Sequence, residues 1–314
     1  MKTALFLGFL LPLLVGAQSV TYPFPVQYLH LQPEGVKARM AYMDVQPEKG
    51  NGRTVLLLHG KNFNGFYWRT VIPFLQESGF RVVVPDQLGW GRSDKPDIHY
   101  SFHSLAQHTR ALLDTLQVDK VTVIGHSMGG MLATRFALLF PGRVEKLVLE
   151  NPIGLEDYRT FVPYQTLEQL VAKEERATYE SYKKYQQSYY PQWKPEYEPY
   201  VAAQAEALNS PGFKQTARIN ARTYQMIYEQ PVVYEFRHLK VPTLLIIGRE
   251  DRTVVGKDQL SAEEAEKRGR YMELGRWLLK EIPGARLAEL PGVGHIPHIQ
   301  DPGHFREELF TFLR

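Results

Sequence analysis

The sequence predicts an α/β fold: a mostly parallel central sheet flanked by helices, with an inserted α-helical cap. Three observations carry this. Several short β-branched runs end in Gly or Asp and give way to stretches with helical spacing. Most of these runs are apolar throughout rather than alternating, as strands buried on both faces of a parallel sheet are. The rhythm breaks once, from about Pro152 to Leu239, where the pattern reads as helices and turns.

The first segment, MKTALFLGFLLPLLVGAQSV, has one Lys, an apolar run from Ala4 to Val15 and a small-residue exit at Val15-Gly16-Ala17. This is the pattern of a secretory signal over residues 1–17. The run is shorter than the ~20 residues of a membrane-spanning helix, so no stable membrane anchor is expected. The chain has no cysteine, which excludes disulfides and a lipidated Cys at the cleavage site. Export without cysteine points to a periplasmic or secreted bacterial protein that relies on its core alone.

Next, YLHLQ (28–32) and MAYMDVQ (40–46) alternate and flank PEGVKAR, which predicts an antiparallel hairpin on the sheet edge. The buried strands follow as TVLLLHG (54–60), FRVVVPDQ (80–87), KVTVIGH (120–126), EKLVLEN (145–151), VPTLLIIG (241–248) and ARLAELPG (285–292). Helical spacing covers roughly 66–78, 103–116, 128–140, 270–282 and 303–313. Strand and helix in alternation imply crossovers that cover both sheet faces. The core therefore spans 18–151 and 240–314, and the cap spans 152–239. The cap holds twelve of the eighteen tyrosines and the Pro-rich piece YYPQWKPEYEPY (189–200). A second, polar insertion, GKDQLSAEEAEKRGR (256–270), reads as a helix-bearing surface excursion.

The net charge of +3 is small, and Lys and Arg are scattered. A nucleic-acid surface needs a basic stripe, so nucleic acid is not an expected partner. His and Asp/Glu lack ligand spacing and no Gly-rich phosphate loop is present, so neither a metal nor a cofactor is expected.

The chemistry concentrates in VTVIGHSMGG (121–130). Gly125, Ser127 and Gly129 form G-x-S-x-G between a strand and a helix. A nucleophile on so sharp a turn needs neighbours with little or no side chain. A serine hydroxyl also needs a base. Of ten histidines, His295 is best placed, in a Gly-rich loop after the last strand. His298 is expected to point elsewhere, His126 to face away from Ser127, and His59 to order its own loop. Asp251, just past a buried strand, is the expected orienting acid, with Glu250 and Glu150 as competitors. The oxyanion is expected on the backbone N–H groups of Lys61 and Met128, with Asn62 as the alternative to Lys61. Gly60 lets that loop approach the serine, and the side chains of Lys61 and Asn62 could face substrate. Asp86 precedes the nucleophile and reads as a loop-holding residue. Trp68 reads as core, and Trp90 as either pocket border or packing.

HGKNF, DQLGWGRSD, GHSMGG, GREDRTV and GVGHIPHIQDP, in that order, resemble the α/β-hydrolase fold family from about residue 26 to 314. The resemblance implies a Ser-His-Asp hydrolase with a lidded pocket, and places its helical cap at 152–239. A serine at 127 rather than an aspartate separates the chain from the epoxide hydrolases and haloalkane dehalogenases that look similar in their loops. The expected activity is acyl transfer on a small or medium carboxylic ester, because a Tyr-rich cap offers flat apolar surface with hydroxyl handles. A C–C bond hydrolase, a lactonase and an aminopeptidase are alternatives on the same triad. An aminopeptidase would hold a substrate ammonium on cap acids such as Glu156, Asp157, Glu168, Glu174 or Glu175. A further alternative is a secreted small-ligand binding protein on a hydrolase shell.

Overall fold

The computed structural model describes residues 20–314; the expected signal segment, 1–17, lies outside the described residues. Eight strands form one sheet: β1 (Gln27–Leu31), β2 (Ala38–Val45), β3 (Thr54–Leu58), β4 (Arg81–Pro85), β5 (Val121–His126), β6 (Val144–Glu150), β7 (Thr243–Gly248) and β8 (Arg286–Leu290). Their spatial order is β1-β2-β4-β3-β5-β6-β7-β8. Only β2 runs against its neighbours, pairing antiparallel with β1 and β4; the pairings from β4 to β8 are parallel. The edge hairpin and the six expected strands are all present.

The sheet is buried on both faces, which explains the unbroken apolar runs. Leu56, Leu58, Val123, Leu147, Leu149, Leu245 and Ile247 pack into one core layer. The alternate residues Val55, Leu57, Ile124, Val148, Leu244 and Ile246 pack into the other. Helices α2 (Phe102–Thr115), α3 (Met128–Leu139) and α9 (Tyr271–Glu281) supply the first layer, through Phe102, Leu112, Phe136 and Leu278. Helices α1 (Val71–Glu77) and α11 (Pro302–Leu313) supply the second, through Ile72, Leu75, Phe305 and Leu309. Each fully buried Leu, Ile or Phe contributes roughly 1.5–3 kcal/mol, so two such layers carry a chain without covalent staples. The helix expected at 66–78 is split into a 3₁₀ segment, Gly65–Thr70, and α1. Asn64 starts the 3₁₀ segment by accepting the N–H of Phe66.

Between β6 and β7 the chain forms α4 (Leu167–Glu174), α5 (Tyr179–Gln187), α6 (Glu198–Ala205) and α7 (Phe213–Glu229), with short 3₁₀ turns and no strand. Thr166 and Thr178 open α4 and α5 with reciprocal capping boxes. The second insertion carries a 3₁₀ turn, Lys257–Gln259, and α8 (Ala262–Lys267), which is capped by Ser261. A short α10 (Pro297–Gln300) precedes α11. Strand order reverses direction around β3 and β5, and the crevice outside the carboxyl ends of such strands is where open α/β sheets bind ligands.

Candidate active site

The turn between β5 and α3 is one residue long. Ser127 occupies it with φ 56° and ψ −121°, a region that non-glycine residues enter only when the surroundings enforce it. The surroundings do. A Cβ at Gly125 would sit 2.3 Å from the carbonyl oxygen of Gly129, and one at Gly129 would sit 2.1 Å from that of Leu58. The glycines let α3 lie directly against β5 and β3. The serine's peptide is pinned as its N–H donates to the Glu150 carbonyl (3.1 Å) and its own carbonyl accepts the N–H groups of Gly130 and Ile153.

The structure brings Ser127, His295 and Asp251 together from three loops on one rim of the sheet. Ser127 Oγ lies 3.0 Å from His295 Nε2, and His295 Nδ1 lies 2.7 Å from Asp251 Oδ2. A carboxylate accepts, so Nδ1 carries the ring proton and Nε2 is left to accept from the serine hydroxyl. The other Asp251 oxygen accepts the N–H of Thr253 at 2.8 Å. All three residues are buried.

Two anchors hold this geometry that the sequence did not flag. Asn151, just after β6 with φ 34°, accepts the N–H of Gly248 (2.8 Å) and donates to the carbonyl of Gly294 (2.7 Å). It ties the loop bearing the acid to the loop bearing the histidine. Tyr189, in the cap, accepts the N–H of His295 on its carbonyl at 2.8 Å and sets its ring 4.7 Å from the imidazole. A Cβ at Gly294 would stand 2.3 Å from that carbonyl, so the close approach of cap to core requires glycine there.

The loop after β3 comes close to the serine: a Cβ at Gly60 would lie 3.1 Å from that of Ser127. Neither the Lys61 nor the Met128 amide has a hydrogen-bond partner among the described residues. The Lys61 and Asn62 side chains turn to the cap. Lys61 Nζ lies 3.9 Å from Glu174, and Asn62 donates to the Tyr189 hydroxyl at 2.8 Å.

The competing residues are engaged elsewhere. Glu250 is exposed. Glu150 is fully buried but holds His298, accepting from both its N–H and its Nδ1. His298 stacks on Trp68, which is itself in the core. His59 accepts the N–H of Gln87. Asp86 receives the N–H groups of Gly65 and Arg92 and the hydroxyl of Tyr22. Trp90 is buried and donates to the Lys61 carbonyl, so it braces the loop beside Ser127. Among the cap acids, Glu156 accepts the Gly269 N–H, Asp157 pairs with Arg159, and Glu168 and Glu175 are exposed. Burial holds the imidazoles of His59 and His126 below their usual range, and the nearby His295 and His298 push His126 further down.

Residues 53–302 match the model of a family described as the alpha/beta hydrolase fold. A solved structure of a probable hydrolytic enzyme from Pseudomonas aeruginosa PAO1 is 45% identical, covers 94% of this chain and 96% of its own, and superposes with a TM-score of 0.92. A 2-hydroxy-6-oxo-6-(2'-aminophenyl)hexa-2,4-dienoic acid hydrolase from Metapseudomonas resinovorans is 29% identical over 280 residues, 85% of this chain and 86% of that one. An uncharacterized protein from Mycobacterium bovis is 42% identical over 106 residues, so the chain spans about a third (31%) of that relative's length.

Proposed function

The chain belongs to the α/β-hydrolase fold family, and from this premise we propose that it is a serine hydrolase cleaving a small or medium carboxylic ester through an acyl-enzyme. Ser127 Oγ attacks the carbonyl carbon while His295 Nε2 takes the hydroxyl proton. Asp251 holds the tautomer and stabilises the imidazolium. The free amides of Lys61 and Met128 receive the oxyanion, one such donor being worth about 3 kcal/mol. The imidazolium then protonates the departing alcohol. Water, deprotonated by the same nitrogen, attacks the acyl-enzyme; the tetrahedral intermediate collapses, Ser127 Oγ leaves and takes that proton back from His295, and the acid is released.

The observation that carries this reading is the continuous Oγ···Nε2, Nδ1···Oδ2 chain at 3.0 and 2.7 Å, built on a strained serine. A protein that only binds a ligand gains nothing from that strain, which costs about 1–3 kcal/mol. A small substrate is supported by burial: Ser127 is 6% exposed beneath the cap, and a polymer would not reach it.

A second reading, C–C bond hydrolysis, draws on the Metapseudomonas relative, which matches over most of both chains. A dienoate carries a carboxylate that calls for a cation, and Lys61, on the loop beside Ser127, is already paired with Glu174. That favours an ester. The test is a p-nitrophenyl ester series of increasing acyl length run beside a 2-hydroxy-6-oxodienoate, with fluorophosphonate labelling. Turnover of the short esters with Ser127 labelled is expected. Dienoate cleavage with inert esters would select the second reading, and neither labelling nor turnover would defeat both.

Residues 1–17 are proposed to direct export. Mass-spectrometric sequencing of the exported chain is expected to begin at Gln18, and an uncleaved chain confined to the cytoplasm would refute it.

A further inference from the structure

His126 occupies the first variable position of G-x-S-x-G and contributes nothing to the proton path just described. Its ring is fully buried, yet both nitrogens are engaged. Nε2 lies 2.8 Å from the carbonyl oxygen of His295, and Nδ1 lies 3.2 Å from the hydroxyl of Tyr67. That hydroxyl is in turn 3.1 Å from the backbone nitrogen of Gly60. The roles are forced by chemistry. A carbonyl only accepts, so Nε2 carries the proton and Nδ1 accepts. Tyr67 must therefore donate to Nδ1, which leaves its oxygen free to accept the Gly60 N–H.

The geometry points to Tyr67 and His126 as positioning residues: a fixed-polarity hydrogen-bond chain, Gly60 N–H to Tyr67 to His126 to the His295 carbonyl, that sets the oxyanion loop in register with the general base. The inference rests on the serine-hydrolase reading above, because only then do these two loops act on one reacting carbonyl. Both ends of the chain sit at that centre. Gly60 abuts Ser127 and precedes Lys61, whose amide is free, while His295 is fixed on its other side by the Tyr189 carbonyl. The chain requires a neutral His126. A protonated ring would present N–H to Tyr67, and the tyrosine hydrogen would then have no acceptor. The groups packed against the ring are His295, His298, Tyr67 and Phe63, none of them an anion, and its burial favours the neutral form. Tyr67 is itself buried and stacked on Phe63 with ring centroids 4.7 Å apart, so its ring stays in place if the hydroxyl is lost.

The test uses the whole enzyme with p-nitrophenyl butyrate, and kcat is expressed per site titrated with a fluorophosphonate, which removes the effect of misfolded protein. Tyr67→Phe is expected to lower kcat per site by about 10- to 100-fold, the order expected for slightly misplaced groups, with KM within about twofold. His126→Gln, whose amide N–H can still reach the His295 carbonyl, is expected to retain more kcat than His126→Leu. Wild-type kcat per site in Tyr67→Phe overturns the proposal whatever happens to its Tm. A wild-type enzyme inert to both probe and esters sinks the serine-hydrolase reading and this chain with it, so the two failures are distinct. Ring ¹⁵N shifts of the wild-type enzyme give a readout independent of turnover. His126 is expected as the neutral Nε2–H tautomer from pH 6 to 8, and an Nδ1–H tautomer or an imidazolium overturns the assignment.

Discussion

Ser127→Ala is expected to reduce ester turnover by about 10⁴- to 10⁶-fold, the scale on which a serine hydrolase loses its nucleophile, and to abolish fluorophosphonate labelling while the fold persists. The fold persists because the hydroxyl's hydrogen bond is to His295, whereas the turn is held by backbone bonds to Glu150, Gly130 and Ile153. A companion variant separates chemistry from strain. Alanine keeps the penalty of φ 56°. Glycine relieves it, gaining about 1–3 kcal/mol against roughly 0.5–1 kcal/mol of extra chain entropy. Ser127→Gly should thus be equally inactive yet more stable than Ser127→Ala by about 1 kcal/mol. Calorimetry of the two variants decides it: equal or reversed Tm values would mean that the elbow stores no strain. Substantial residual turnover in both would remove Ser127 from the mechanism.

The fold was legible because its signals are local. The run Val121–Ile124 and the helix from Met128 announce themselves by composition and period, and the burial of β5 and β7 on both faces accounts for their lack of alternation. Ser127, Asp251 and His295 were legible because each follows a strand in a loop of distinctive residues. The partners that hold them were not. Asn151 reads as one more polar residue at a strand end, and its two bonds reach residues 97 and 143 positions away. Tyr67 stands next to Trp68 with no signal of its own in the sequence, and its bond to His126 spans 59 positions. Glu150 was legible as an acid near a histidine, but periodicity does not say which one. The packing of α10 against β7, the neighbour of β6, brings His298 to it. The side chains of Lys61 and Asn62 had substrate as an expected neighbour, and in the structure they reach Glu174 and Tyr189 of the cap. Strand, helix and turn are coded over a few residues; hydrogen bonds between loops depend on where the sheet carries each loop.

Asn151→Asp tests that dependence with a change of one functional group. In the native protein the amide presents an oxygen to the Gly248 N–H and an NH₂ to the Gly294 carbonyl, and the residue is fully buried. An ionised aspartate keeps the first bond and sets an oxygen against the second carbonyl, so a donor is lost and a charge is buried. The expected destabilisation is about 3 kcal/mol or more. Aspartate tolerates the left-handed φ of 34° nearly as well as asparagine, so backbone strain does not confuse the result. The pH dependence identifies the cause. Burial and the facing carbonyl disfavour the charged form, so the new carboxyl has a higher pKa folded than unfolded. The unfolded state then binds fewer protons than the native state in the interval between the two values, and stability falls as pH rises through it. Acidification protonates the group, an O–H can again donate to Gly294, and the deficit relative to wild type shrinks. Urea unfolding of both proteins between pH 4.5 and 8 measures this. The expected result is a gap that narrows toward acid, with the ratio of variant to wild-type kcat for esters, taken at the same pH, recovering as the His295 loop regains its anchor. A gap independent of pH would mean that the amide's donor bond is not what holds the histidine loop. No gap at all would mean that the loop is fixed by the Tyr189 carbonyl and the His126 ring alone.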